Sequence, residues 1–155
     1  MIVLLCVMLL GAASLLLAWI DFRQGIIPDW LNLAIAVLGV IRAAMLGGWP
    51  LAAEYIVEGA IIGAVVWLLR RLYFTVRKIQ GLGLGDVKLL AASALWIGAS
   101  GIPMQILVAS VTALVAAAVL HVTGRTMTRQ SALPFGPFLA LGLLSVLAIQ
   151  QSGWV

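Results

Sequence analysis

The chain has 155 residues, 65% of them hydrophobic and only 9% charged, with a formal charge of +4, a pI near 10.0 and a mean hydropathy of +1.22. That balance excludes an ordinary water-soluble domain and makes lipid the solvent for most of the chain. The basic residues are too scattered among apolar runs to track phosphates, so no nucleic-acid partner is expected; they mark topology and attract anionic membrane lipid.

In chain order, the charge-free stretch from Met1 to Ile20 predicts a first spanning helix over roughly 2–20. It has no basic region before it and no small-residue cleavage site after it, so a retained helix is expected in place of a signal peptide. Cys6, the only cysteine, precludes an internal disulfide and a cysteine-based metal knuckle and is expected to pack inertly. Asp21 ends the run. The polar interval FRQGIIPDW follows, with Pro28 suited to the first turn of a second helix over roughly 31–48. Asp29 in that turn is a dipole partner or a solvated group, and Asn32 a cross-link between helices or a cap.

Arg42 lies near the far end of the second segment, which runs into GGWP. A third segment over roughly 51–69 carries Glu54 and Glu58 one turn apart, and Arg42 is expected to pair with them. The stretch GLGLGD then places Gly81, Gly83 and Gly85 before Asp86, at the entry of a fourth, short segment over roughly 87–101. Its glycines permit close backbone approach or simply form a loose helix entry. Lys88 holds a carboxylate's charge or snorkels to headgroups. A fifth segment over roughly 103–121 and a sixth over roughly 134–151 complete an all-α, polytopic single domain of residues 1–155. PFGPF opens the sixth, where Pro134 and Gly136 either build a rigid turn or line a cleft. Trp19, Trp30, Trp49 and Trp96 lie near predicted segment ends, as an interfacial belt has them.

With six segments and the N-terminus outside, Arg23, Arg70, Arg71, Arg77, Lys78, Lys88, Arg125 and Arg129 all fall on the cytoplasmic side, and only Arg42 does not. Asp21 and Asp86 then lie at one depth, at the cytoplasmic ends of the first and fourth segments, and meet if those two helices pack together. Neighbouring carboxylates share a proton and supply both a base to activate water and an acid for the carbonyl oxygen or leaving amine. The bland alternative is a pair of solvated helix-end groups, for which Asp86 at a helix N-terminus has the better structural reason. His121 is the only histidine, no GxSxG elbow is present, and ligands for a metal are too few.

Three elements in order resemble the prepilin peptidases, membrane aspartic peptidases with a GxGD signature. They are Asp21 in DFRQGIIPDW, the GxGDxKL pattern from Gly83 to Leu89, and PFGPFL from Pro134 to Leu139. GxGD is shared with presenilin-like intramembrane proteases, but the other two motifs favour the prepilin branch. The resemblance implies that Asp21 and Asp86 are the catalytic pair and that Gly83, Gly85, Lys88, Pro28, Pro134 and Gly136 shape the site or contact substrate. It also implies a prepilin or pilin-like substrate, cleaved at the cytoplasmic face between a basic leader and a hydrophobic helix, and a multi-pass location in the bacterial inner membrane. Contact with pilus assembly machinery is compatible with it, and no cofactor is expected. Larger members carry an N-terminal region with paired cysteines; this chain resembles the small form of Flp or tight-adherence pilus systems, so N-methyl transfer is not expected. The competing expectations are a small transporter or proton relay, and a noncatalytic component of a pilus or secretion assembly.

Overall fold

The structure, a computed structural model, describes residues 1–78, 82–122 and 134–153. Gly81 of the glycine stretch and the topology markers Arg125 and Arg129 lie outside them. The described residues form four helices: α1 (Ile2–Gln24), α2 (Asp29–Arg77), α3 (Leu84–Val122) and α4 (Gly136–Gln151). Three of them, α1, α2 and α3, are long and apolar enough to cross a membrane, while α4 has only 16 residues.

The all-α, polytopic architecture is as expected, but six separate segments are corrected to four helices, and the N-outside orientation inferred from six is withdrawn with that count. The reason is that the expected breakers interrupt helices without ending them. At GGWP only Gly47 and Gly48 leave helical geometry, and Pro50 takes a position early in the next turn. At GASGIP only Gly98 does so (φ 70°, ψ 168°), with Pro103 accommodated beyond it.

The breaks bend both long helices sharply. Ala36 and Ala60 of α2 line one groove, although a straight helix would set them about 36 Å apart. In the same way Leu90 and Ile106 of α3 line one groove, against about 24 Å along a straight helix. Gln105 accordingly reaches back to donate to the Ser93 hydroxyl at 2.9 Å and to the Leu139 carbonyl of α4 at 3.0 Å.

The break at Gly98 strips intrahelical partners from nearby peptide groups, and neighbouring helices replace them. Arg42 donates to the Trp96 carbonyl at 3.1 Å, Gln150 donates to the Ile97 carbonyl at 3.0 Å, and Glu58 accepts from the Ala99 N–H at 2.7 Å. In an apolar surrounding each group left unpaired would cost several kcal/mol, roughly the scale known for lipid. The expected pairing of Arg42 with Glu54 and Glu58 is therefore corrected. Among the described residues the ion pair is Lys88 with Asp29, while Arg42 and Glu58 serve opposite sides of the helix break and Glu54 is exposed.

The core sits along α3, which packs on α2 and α4; α1 also packs on α2 and α4, with no close backbone approach between α1 and α3. Cys6 is buried, as expected. Trp19, Trp30 and Trp49 are exposed, but Trp96 is a core residue, 1% exposed, whose indole N–H donates to the Ile35 carbonyl at 2.8 Å. Outward-facing Leu4, Met8, Leu15, Leu107 and Leu114 form the kind of apolar exterior that lipid covers.

Candidate active site

Asp21 lies in the last turn of α1, which ends because Gly25 turns left-handed (φ 64°) and returns its N–H to the Asp21 carbonyl at 2.8 Å. The Asp21 side chain is 5% exposed and has no ion-pair partner among the described residues. A carboxylate so placed requires hydrogen-bond donors. One comes from the start of α4: the Gly136 N–H donates to Asp21 Oδ2 at 3.0 Å, across a sequence separation of 115. The first N–H groups of a helix lack intrahelical acceptors and lie at the positive end of its dipole, so α4 presents an anion-binding terminus to Asp21. Pro137 follows, where a missing N–H costs little.

Gly136 is required by that approach. A Cβ there would lie 2.6 Å from Asp21 Oδ2 and 3.0 Å from Ile27 Cδ1. Nothing larger than hydrogen fits unless the carboxylate or α4 withdraws.

Asp86 is the third residue of α3, and its Oδ2 accepts from the Gly83 N–H at 3.3 Å. This is half of a capping box, the ordinary structural role that the sequence had left open. The role does not isolate Asp86, which is half-buried and within electrostatic reach of Asp21. Gly85 brings the entry of α3 against Ile27, since a Cβ at Gly85 would lie 2.8 Å from Ile27 Cβ.

Ile27 is thus the shared contact of both halves, touching Gly136 beside Asp21 and Gly85 beside Asp86. The two carboxylates approach through this segment and the start of α4, while the helices that carry them, whose packing the sequence left open, make no close backbone contact. Sequence reasoning did not single out Ile27. Its signal was the apolar pair before Pro28 in an otherwise polar connection. Arg70, counted only as a topology marker, is the second residue missed: its Nε donates to the Leu82 carbonyl at 2.8 Å and ties the glycine stretch to α2.

The remaining candidates surround this centre. Pro28 adopts an extended conformation before α2, and its carbonyl accepts from Leu31 and Asn32. Asn32 does cross-link: its Nδ2 donates to the Gly85 carbonyl at 3.4 Å, while its buried Oδ1 has no partner among the described residues. Lys88 points away from Asp86 along its helix and pairs with Asp29 at 2.6 Å. Both partners are substantially exposed, 49% and 75%, so the pair contributes at most about 1 kcal/mol. Pro134 is half-buried two residues before Gly136.

The arrangement joins two carboxylates, glycine N–H donors and an apolar wedge. No group of three or more His, Cys, Asp or Glu side chains suited to a metal occurs among the described residues. The residues on hand are those of acid-base chemistry on a bound water.

The family model described as Type IV leader peptidase family matches residues 8–118, a stretch that contains Asp21 and Asp86 and excludes the PFGPFL element. Among curated proteins, the chain is 38% identical over 134 residues to a prepilin leader peptidase/N-methyltransferase of Burkholderia pseudomallei, covering 86% of this chain and 42% of that protein. It is 37% identical over 143 residues to one of Escherichia coli, covering 91% and 60%, and 33% identical over 153 residues to one of Neisseria gonorrhoeae, covering 95% and 49%. The chain therefore spans about half the length of the curated relatives it matches. No solved structure matches it significantly. With the greater part of its length matched by the family model, the chain belongs to the Type IV leader peptidase family.

Proposed function

We propose that this chain is a multi-pass aspartic endopeptidase of the bacterial inner membrane that removes the leader from prepilin-like precursors, with Asp21 and Asp86 as the catalytic pair. The observation that carries the proposal is the convergence of these carboxylates on one cluster, with Ile27 between their glycine partners. Family membership supports peptide hydrolysis over the transporter and the noncatalytic assembly component. The names of the relatives supply the substrate class, a prepilin leader.

In the proposed reaction one carboxylate takes a proton from water as the water oxygen bonds to the scissile carbonyl carbon. The other carboxyl donates its proton to the carbonyl oxygen. Collapse of the gem-diol intermediate breaks the C–N bond: the first carboxyl gives its proton to the leaving amine, while the second carboxylate takes one back from a gem-diol hydroxyl, which becomes the carbonyl of the new acid. The pair thus ends with the proton count at which it began, and acts as one coupled unit. The peptide must be extended at the scissile bond, because a helical carbonyl is already hydrogen-bonded. Gly83, exposed beside Asp86, leaves room for that stretch, whereas the space at Gly85 is filled by Ile27. The mature product then enters pilus or secretion assembly.

The test is co-expression with a pilin-type precursor and determination of the product's size and new N-terminus. Asp21→Asn and Asp86→Asn each preserve shape and one Oδ acceptor but remove the ionisable group, so each is expected to abolish cleavage while leaving membrane insertion intact. Cleavage at the wild-type rate by either inserted variant sinks the two-carboxylate mechanism.

A further inference from the structure

Three grooves of similar size, about 500 Å³ each, open on the described surface of the helices. Each has the volume of a ligand cleft. They differ in what lies behind them.

The first is lined by residues including Leu33, Ala36, Ala60, Lys88 and Leu95. Lys88, Ala91 and Leu95 lie on the face of α3 opposite Asp86, because two residues along a helix turn through roughly 200°. The second, between α1 and α4, includes Ser14, Ala18, Pro137 and Leu141 and borders the Asp21 side alone. The third is lined by Val66, Leu69, Tyr73, Leu90, Ile106 and Phe135, together with Arg70 and Leu82.

Only the third adjoins both carboxylates. Leu82 precedes Gly83, whose N–H holds Asp86, and Leu90 lies one turn beyond Asp86 on the same face of α3. Phe135 precedes Gly136, whose N–H holds Asp21. Among the described residues of this lining Arg70 is the one charged side chain, fastened to the Leu82 carbonyl, so the groove is otherwise apolar with a single cationic group. An occupant that matches is the end of an apolar membrane segment, whose side chains fill the groove and whose chain continues past Leu82 and Phe135 toward the carboxylates. Because lipid tails are as apolar as the lining, hydrophobic burial adds little when the segment leaves the lipid; van der Waals packing in a shaped cavity is the available driving force, and shape complementarity contributes the selectivity.

We infer that this groove is the docking site for the apolar segment adjoining the scissile bond of the membrane-anchored substrate. The inference rests on the peptidase function proposed above and assigns its specificity to Ile106 and Phe135, beside the buried Leu90. These side chains set how bulky the substrate residues next to the cleaved bond can be.

The experiment uses the full chain in membranes with a pilin-type precursor. A photoreactive benzoylphenylalanine replaces Ile106, Leu33 or Leu141, one in each groove and all exposed, in the Asp86→Asn background that retains uncleaved substrate. Illumination is expected to capture the precursor from position 106 at least fivefold more than from 33 or 141. In the otherwise unaltered enzyme, Ile106→Trp is expected to lower kcat/KM at least tenfold, while Leu33→Trp and Leu141→Trp stay within twofold. A precursor whose bulky apolar residues beside the cleavage site are shortened to alanine should recover part of the loss with Ile106→Trp. Equal or stronger capture from 33 or 141, or no capture at 106 while the unmodified enzyme cleaves the same precursor, overturns the groove assignment alone. Failure of the unmodified enzyme to cleave any precursor removes the peptidase function, and the groove assignment falls with it.

Discussion

Gly136→Ala tests the geometry around Asp21 most directly. The added Cβ would stand 2.6 Å from Asp21 Oδ2, and ordinary contact begins at 3.4 Å, so about 0.8 Å of separation must be found. The carboxylate cannot retreat freely, since it is 5% exposed, and Ile27 Cδ1 at 3.0 Å blocks a second direction for the methyl group. The outcome is a stretched or broken bond from the Gly136 N–H, and a hydrogen bond to a charged group is worth about 1.5–3 kcal/mol. If the energy of that bond must instead be spent to bring Asp21 back to its productive orientation in the transition state, cleavage falls roughly 10- to 150-fold, at about 1.4 kcal/mol per decade. A displacement near 1 Å of a catalytic group costs on the order of a hundredfold by itself, so the two estimates agree. The assay is the initial rate of precursor cleavage in membranes holding equal amounts of inserted enzyme. Gly11→Ala serves as the control, because nothing lies within 4 Å of a Cβ at Gly11 and the change suits a helix interior. A Gly136→Ala enzyme cleaving within twofold of wild type, beside an unaffected Gly11→Ala, refutes the proposed positioning of Asp21.

Gly85→Ala drives a methyl group to 2.8 Å from Ile27 Cβ and is expected to lower cleavage at least tenfold. Ile27→Gly in the same chain removes that Cβ and should restore part of the loss, giving a coupling energy of about 1 kcal/mol or more in a double-mutant cycle; strict additivity would show that the two do not meet. Glu58→Ala removes the acceptor of the Ala99 N–H at the Gly98 break and is expected to destabilise the chain by about 1–3 kcal/mol. Unfolding in detergent measures this, Glu58→Gln should recover part of the loss, and an unchanged midpoint for Glu58→Ala would contradict the clamp. Lys88→Ala breaks only an exposed ion pair and should cost no more than about 1 kcal/mol, a loss that added salt reduces. A collapse of folding would assign Lys88 a structural weight that its exposure does not support.

The membrane character, the helical class and the two aspartates were legible from local pattern. Apolar runs of bilayer length suit lipid and little else, and an acidic residue at the edge of such a run stands out against it. The glycines of GLGLGD and PFGPF were legible as places where backbone comes close, but not what they approach. That Gly136 holds Asp21 and that Gly85 meets Ile27 depends on segments more than fifty residues apart in the chain. Arg42 looked like a partner for Glu58 because charge attracts charge, yet the break at Gly98 exposes peptide groups that claim each of them separately.

Trp96 shows the same limit from the apolar side. Placed by hydropathy near a segment end, it lies in the core, because a helix that is apolar on every face does not declare which face meets protein and which meets lipid. For the same reason Gly48 and Gly98 could not be distinguished in advance from helix ends: whether a glycine ends a helix or bends it depends on whether other helices supply partners for the freed peptide groups. Composition and local motifs thus dictate solvent, class and which acidic residues stand out against the apolar runs, since each is a property of a short stretch. The bends, the buried faces and the meeting of Asp21, Ile27 and Asp86 belong to the tertiary structure, since each is settled by contacts between distant segments that compete for the same few polar groups.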